Sequence, residues 1–102
     1  MAEANEWEVG FHRKAQKQKE KLPVSIVAAL DLLVAELRTE GPERRNWHHY
    51  GLIVGKTDLH HCHLNKDKPR YVAVWKVIDR QVQMMEVRYV GTHENANYRR
   101  ID

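Results

Sequence analysis

The sequence contains little of what small proteins use for covalent cross-linking or for metal binding. Cys62 is the single cysteine among 102 residues, so no disulfide can form within the chain and the fold depends on its hydrophobic core. Paired metal-ligand motifs such as CxxC and HExxH are absent. No apolar run approaches the roughly 20 residues that a membrane-spanning helix needs, and no apolar leader is present. We therefore expect a protein without a cofactor that stays soluble in a reducing cytoplasm.

The length of the chain limits the number of domains, and its charge indicates the kind of partner that it could bind. A chain of 102 residues can bury one modest core, so we predict a single domain over residues 1–102. It carries 17 Lys and Arg against 14 Asp and Glu, and its seven histidines add positive charge below neutral pH. This balance is compatible with an anionic partner such as a nucleic acid.

The N-terminal half predicts one strand and two helices. Residues 1–6 are polar and acidic and are expected to form a loose end. Residues 7–12 alternate between apolar and polar side chains, which predicts a half-buried strand. Residues 13–22 are basic and lack β-branched side chains, which favours a cationic helix. A second helix is expected to start with Pro23 as its first residue and to stop at Gly41-Pro42. Its apolar stripe consists of Ile26, Val27, Leu30, Leu33, Val34 and Leu37.

The second half predicts the sheet. Residues 57–64 are expected to form a strand, residues 51–56 a short strand or an extended loop, and residues 70–78 and 82–90 an antiparallel hairpin. One face of the first hairpin strand should pack on the helix stripe; it comprises Tyr71, Ala73, Trp75 and Val77. The predicted fold class is α+β, with a mainly antiparallel twisted sheet of about four strands, two N-terminal helices packed on one face, and a ligand groove on the other.

The histidines of the run His60-His61-Cys62-His63 allow two kinds of chemistry. His61 and His63 share one face of the predicted strand, because side chains alternate along a strand, and His60 and Cys62 share the other. A zinc site could form if a third ligand reached the pair, such as His93, His49 or a carboxylate. Cys62 has no activating neighbour besides the histidines and is interpreted as structural.

The alternative is acid–base chemistry on RNA without a metal. Cleavage requires one group to take the proton of the 2′-hydroxyl, another to protonate the leaving 5′-oxygen, and cations to stabilise the phosphorus centre. Histidine can perform both proton transfers near neutral pH, arginine binds phosphate, and tyrosine can stack on a base. The candidate catalytic residues are His61, His63, His93 and Tyr98, and the candidate RNA-binding residues are Lys66, Lys68, Arg70, Lys76 and Arg88.

The order of the elements and the end of the last strand resemble a known family. A strand, a basic helix, an amphipathic helix and a Tyr-x-x-x-Trp strand are followed by Arg88-Tyr89-Val90-Gly91-Thr92-His93. This arrangement resembles the RelE/HigB superfamily of bacterial toxins, and the closing six residues are similar to the Arg-Phe-Val-Gly-Thr-His signature of HigB-type members. The specific part of the resemblance covers residues 59–93.

The resemblance implies a small α+β toxin of a type II toxin–antitoxin system that is inhibited by a partner antitoxin. Such toxins enter the ribosomal A site and cleave mRNA by 2′-hydroxyl attack without a metal. His61 and His63 stand where RelE-like members have alternating lysines, so the resemblance gives them a charge or proton-transfer role. His93 takes an acid–base or phosphate role, and Tyr98 matches a tyrosine that follows the signature in many members.

The sequence departs from the family pattern at several positions. Val72 stands where RelE-like members often have an arginine, which leaves Arg70 as a displaced substitute, and histidines replace several lysines. The positive charge at pH 7 is therefore weaker than in the family. A non-catalytic module that binds RNA or an antitoxin on the same fold is the alternative function.

Overall fold

The computed structural model describes residues 6–102, so the predicted loose end lies outside the described residues except for Glu6. Two helices and five strands follow one another as β1 (Glu8–Phe11), α1 (Arg13–Lys19), α2 (Val24–Glu40), β2 (Gly51–Leu52), β3 (Leu59–His63), β4 (Tyr71–Asp79) and β5 (Met84–Thr92). None of the helices in this range is long and apolar enough to cross a membrane.

The strands form one sheet in the order β1-β5-β4-β3-β2. β4 and β5 form the predicted antiparallel hairpin, and β3 and β2 continue the sheet in antiparallel fashion. β1 pairs with β5 in parallel. The predicted α+β class is confirmed, but the sheet has five strands instead of about four because the two-residue β2 is paired and counts as a strand.

Helix α2 supplies the largest apolar face of the domain. Its buried residues are Ile26, Leu30, Leu33, Val34 and Leu37, which confirms most of the predicted stripe. Pro23 is the N-cap and not the first helical residue as predicted, because its ψ of 153° is still extended. The helix ends at Glu40, and Gly41 is its C-cap, with a φ of 95° that suits glycine. A Cβ there would lie 3.3 Å from Nε1 of Trp7, so the close approach of this side chain also favours glycine.

Each face of the sheet has its own hydrophobic cluster. On the helix side, Ala73 and Trp75 pack in the cluster that contains Leu30, with Tyr71 at its border, as the alternation predicts. On the other side, Leu59, Val72, Val74 and Tyr89 form a second cluster, against which Ile53, Ala96, Tyr98 and Ile101 pack. The segment after β5, residues 93–102, therefore covers much of the face that the sequence analysis leaves as an open groove. The expected open groove is therefore wrong for the part of the face that Ala96, Tyr98 and Ile101 cover.

Candidate active site

Strand β3 carries the two histidines that the sequence analysis places on one face. His61 pairs with Val74 and His63 pairs with Val72 across the β3–β4 ladder. Both valines belong to the cluster opposite the helices, so His61 and His63 lie on that same face. His63 is buried and His61 is partly buried.

His63 lies between two exposed histidines that come from different parts of the chain. The ring centroid of His49 is 4.3 Å from that of His63, with the planes tilted by 31°. The ring of His93, which follows β5, is 5.3 Å from His63 and meets it edge-on. His49 and His93 thus both contact His63. We call these three residues, together with His61 on the same face of β3, the histidine cluster.

Burial and mutual repulsion keep the inner members of the histidine cluster neutral. Burial, and after it the positive charges that His49 and His93 can carry, together lower the pKa of His63 to about 4. The pKa of His61 is also lowered, first by burial and then by His49 and His93. At neutral pH both side chains can accept a proton but do not act as fixed cations.

Tyr98 covers His61 from the segment after β5. The two ring centroids are 5.6 Å apart with a tilt of 51°. Nδ1 of His61 and the hydroxyl of Tyr98 are both buried, and neither has a hydrogen-bond partner within residues 6–102. Burial raises the pKa of Tyr98, so the phenol stays protonated. Unpaired buried polar atoms are uncommon in folded proteins and mark this corner as a place where a ligand could be bound.

The loop between β3 and β4 places three of the predicted RNA-binding residues beside the histidine cluster. Lys66, Lys68 and Arg70 are exposed on it. The backbone N–H of His93 donates to the carbonyl oxygen of Arg70 at 2.7 Å. Lys68, Arg70 and His93 also line a shared pocket, together with Pro69 and Glu94. The predicted phosphate-binding groups and the predicted acid–base group His93 are therefore adjacent.

Two other predicted RNA-binding residues, Lys76 and Arg88, lie apart from the histidine cluster. Lys76 is bound to Asp102, with 3.3 Å between Nζ and the carboxylate, and also donates to the carbonyl oxygen of Thr57. Arg88 pairs with Glu86 at 2.7 Å and donates to the backbone carbonyl oxygen of Asp102. Their role in RNA binding stays a prediction. Each side chain would first have to break its bonds to a carboxylate and to a backbone carbonyl oxygen.

His60 belongs to a different, structural network on the helix side of the sheet. Its ring stacks on Trp75 with a centroid distance of 5.8 Å and an angle of 7°. Burial lowers the pKa of His60 against the opposing effect of Asp58. The neutral ring donates from Nε2 to Asp58 at 2.8 Å and accepts the hydroxyl proton of Tyr50 at Nδ1, at 2.7 Å. Both nitrogens are used, so His60 is not available for catalysis.

The structure gives no support to the alternative of a zinc site. Among residues 6–102, no group of three or more His, Cys, Asp or Glu side chains is arranged to hold a metal ion. Cys62 is fully buried among the helix-side residues, and burial raises the pKa of its thiol to about 12. The structural interpretation of Cys62 agrees with this environment, because the thiolate is the form that reacts and binds metals.

His49 lies against His63, and the sequence analysis names it only as a possible zinc ligand. It lies in the connection between α2 and β2, and its backbone adopts a φ of 54°. Nothing in the local sequence predicts that this connection turns back along β3. The local signal is compositional, namely the adjacent pair His48-His49 in a chain that also carries the run His60-His61-Cys62-His63.

Comparisons with solved structures identify the fold. A mutant of the E. coli toxin RelE in the free state superposes with a TM-score of 0.69 at 22% sequence identity, covering 89% of this chain and 87% of that one. The intact E. coli RelBE toxin–antitoxin complex gives 0.65 at 22% identity, covering 87% of this chain and 99% of the matched chain. The archaeal RelE–RelB complex from Pyrococcus horikoshii OT3 gives 0.66 at 16% identity, covering 88% and 98%.

The chain therefore has the fold of the RelE toxins, as the sequence resemblance predicted. No protein-family model matches the sequence, and no curated protein matches it either. At identities of 16–22% the structural likeness establishes the fold, and the similarity to HigB stays a prediction.

Proposed function

We propose that the protein is a cytoplasmic, ribosome-dependent mRNA endonuclease, the toxin of a type II toxin–antitoxin system. The observation that carries the proposal is the convergence of His61, His63, His93 and Tyr98 on one edge of a sheet that has the RelE fold. These residues come from β3 and from the segment after β5, so their proximity depends on the tertiary fold. A collection of ordinary surface histidines would not be expected to converge in this way.

The proposed reaction is metal-independent transfer of the phosphoryl group to the 2′-oxygen. One imidazole takes the 2′-hydroxyl proton, the 2′-oxygen bonds to phosphorus, and the bond to the 5′-oxygen breaks as a second imidazole protonates that oxygen. The products are a 2′,3′-cyclic phosphate and a 5′-hydroxyl. An arriving phosphate anion favours the charged form of a nearby imidazole. The low pKa of His63 therefore makes its protonation dependent on RNA binding.

Phosphate binding is assigned mainly to the β3–β4 loop. Arg70 is adjacent to His93 and presents a planar guanidinium suited to two phosphate oxygens. Lys66 and Lys68 are exposed on the same loop and add positive charge along the path of the backbone. Tyr98 would position a base beside His61. Lys76 and Arg88 would bind RNA only after Asp102, which holds both side chains, is displaced.

The proposed partners are a cognate antitoxin and the ribosomal A site with its mRNA. The matched structures include the intact E. coli RelBE toxin–antitoxin complex and the archaeal RelE–RelB complex. The chain shares their fold over 87–88% of its length, which supports an equivalent protein partner here.

A second candidate function is a non-catalytic RNA-binding or antitoxin-binding module. The low pKa of His61 and of His63 favours it, because these residues lack the fixed positive charge of the lysines that the family pattern has there. Such a module would show RNA affinity that falls with salt but no cleavage.

Growth of an expressing bacterium distinguishes the two candidates. Induction of the wild-type protein is expected to arrest growth, and the double substitution His61→Ala with His93→Ala is expected to remove the arrest. Immunoblots and a thermal melt should show that the variant accumulates in folded form. Arrest that persists unchanged in the double variant would contradict the proposed site.

A further inference from the structure

The loop between α2 and β2 is anchored so that it delivers His49 to the site. Glu36 of α2 accepts hydrogen bonds from Nδ2 of Asn46 at 2.9 Å and from Nε1 of Trp47 at 2.8 Å. Arg44 pairs with the same carboxylate oxygen at 3.3 Å. These hydrogen bonds and the charge of Arg44 lower the pKa of Glu36 although desolvation opposes them, so the anchor is an anion. One side of the loop is thereby fixed to the helix.

The other side of the loop is fixed to β3. The backbone carbonyl oxygen of His48 accepts the N–H of His63 at 2.8 Å, which continues the ladder beyond the two residues of β2. The hydroxyl of Tyr50 bonds to His60 at 2.7 Å. His49 lies between these two attachments, which hold its backbone beside His63.

The backbone of His49 adopts a conformation that non-glycine residues rarely take. Its φ of 54° lies in the left-handed region, which most residues with a side chain avoid and which Asn, Asp and His adopt more often than the others. The imidazole is exposed and contacts His63 at a centroid distance of 4.3 Å. Histidine is among the residues with a side chain that tolerate this backbone, and the conformation places its ring against His63.

We propose that His49 is a further proton-transfer residue of the site and works with His93. The inference rests on the proposed endonuclease function and adds a residue that lies outside β3–β5. His49 and His93 are both exposed and both contact His63, which is buried between them. In-line displacement needs one proton acceptor beside the 2′-oxygen and one proton donor beside the 5′-oxygen. His49 takes one of these positions and His93 the other, which leaves His61 and His63 the charge role that the resemblance implies. His49 and His93 each exchange a proton with water after the products leave.

The test compares His49→Gly with His48→Ala in a translation extract that cleaves a reporter mRNA. His49→Gly keeps a residue suited to the backbone and is expected to slow cleavage by about 100- to 10,000-fold, the usual contribution of an acid–base group. Added imidazole should restore part of the rate, and one limb of the pH–rate profile should disappear. His48→Ala should cleave like the wild type, because its carbonyl oxygen and not its ring binds His63.

The outcomes separate the inference from the function on which it rests. Wild-type rates in His49→Gly, alongside a large loss in His93→Ala, would overturn the role of His49 and leave the endonuclease intact. A slow His49→Gly variant that imidazole does not rescue, with both pH limbs retained, would make His49 structural and also overturn the inference. If His49→Gly does not fold, His49→Asn tolerates the same backbone and carries no titrating ring. Absence of cleavage by folded wild-type protein would remove the function and the inference together.

Discussion

Replacing Asp58 with alanine is expected to lower the free energy of unfolding by about 2–4 kcal/mol. Asp58 accepts the Nε2 proton of the buried His60 at 2.8 Å and two hydrogen bonds from Arg80 at 2.8 and 2.9 Å. These partners, Arg80 first, lower the pKa of Asp58. Alanine would leave the imidazole of His60 with an unpaired buried donor, and it is also poorly suited to the φ of 53° at this position.

The matched control is Asp58→Asn. Asparagine tolerates the left-handed backbone and keeps a carbonyl oxygen that can accept the proton of His60, so it loses the charge but not the geometry. Urea denaturation should therefore rank the wild type first, then the asparagine variant, then the alanine variant. Equal stability of the two variants would show that the hydrogen bond to His60 contributes nothing.

Acidification from pH 7 to pH 4 is expected to remove about 3 kcal/mol of stability through His63 alone. The folded protein holds the pKa of this side chain at about 4, against an ordinary value of 6.5. Between pH 6.5 and pH 4 the unfolded chain therefore binds a proton at this side chain that the folded chain does not bind. The free energy of unfolding that depends on the neutral His63 is fully present above pH 6.5 and is lost progressively as the pH falls toward 4. His60 and His61 have pKa values lowered by burial and act in the same direction.

The substitution His63→Gln isolates this effect. Glutamine does not titrate. The free energy of unfolding of the variant should therefore change less between pH 7 and pH 4.5 than that of the wild type. His48→Gln, on the exposed neighbour of His49, should keep the wild-type slope. Chemical denaturation at each pH gives the free energy of unfolding, and its change with pH is the slope that is compared. A His63→Gln slope equal to that of the wild type would mean that His63 protonates freely in the folded state.

The sequence was sufficient for features that depend on local periodicity. Helix α2 follows from its apolar stripe and from the stop at Gly41, and the β4–β5 hairpin follows from two apolar runs around a polar turn. The shared face of His61 and His63 also follows, because side-chain alternation fixes it once the strand is recognised. These features require no knowledge of distant contacts.

The features that the sequence did not predict depend on distant contacts. The covering of the sheet by Tyr98 and Ile101 comes from a segment with weak periodicity, whose position is set by the cluster around Val74 and Tyr89. The approach of His49 to His63 depends on Glu36, which is 13 residues away in sequence from His49 and bonds to the loop through side chains. Such contacts are specified by tertiary packing and leave no local pattern.

The central claim is that the histidine cluster cleaves translated mRNA, and mapping the 5′ ends of a reporter message tests it most directly. Wild-type protein and His93→Ala are expressed in a bacterial host, with a second reporter that lacks a start codon. The wild type is expected to produce new 5′ ends in the translated reporter only, and His93→Ala is expected to produce none. Unchanged 5′ ends with folded wild-type protein, or the same cuts in His93→Ala, would contradict the account.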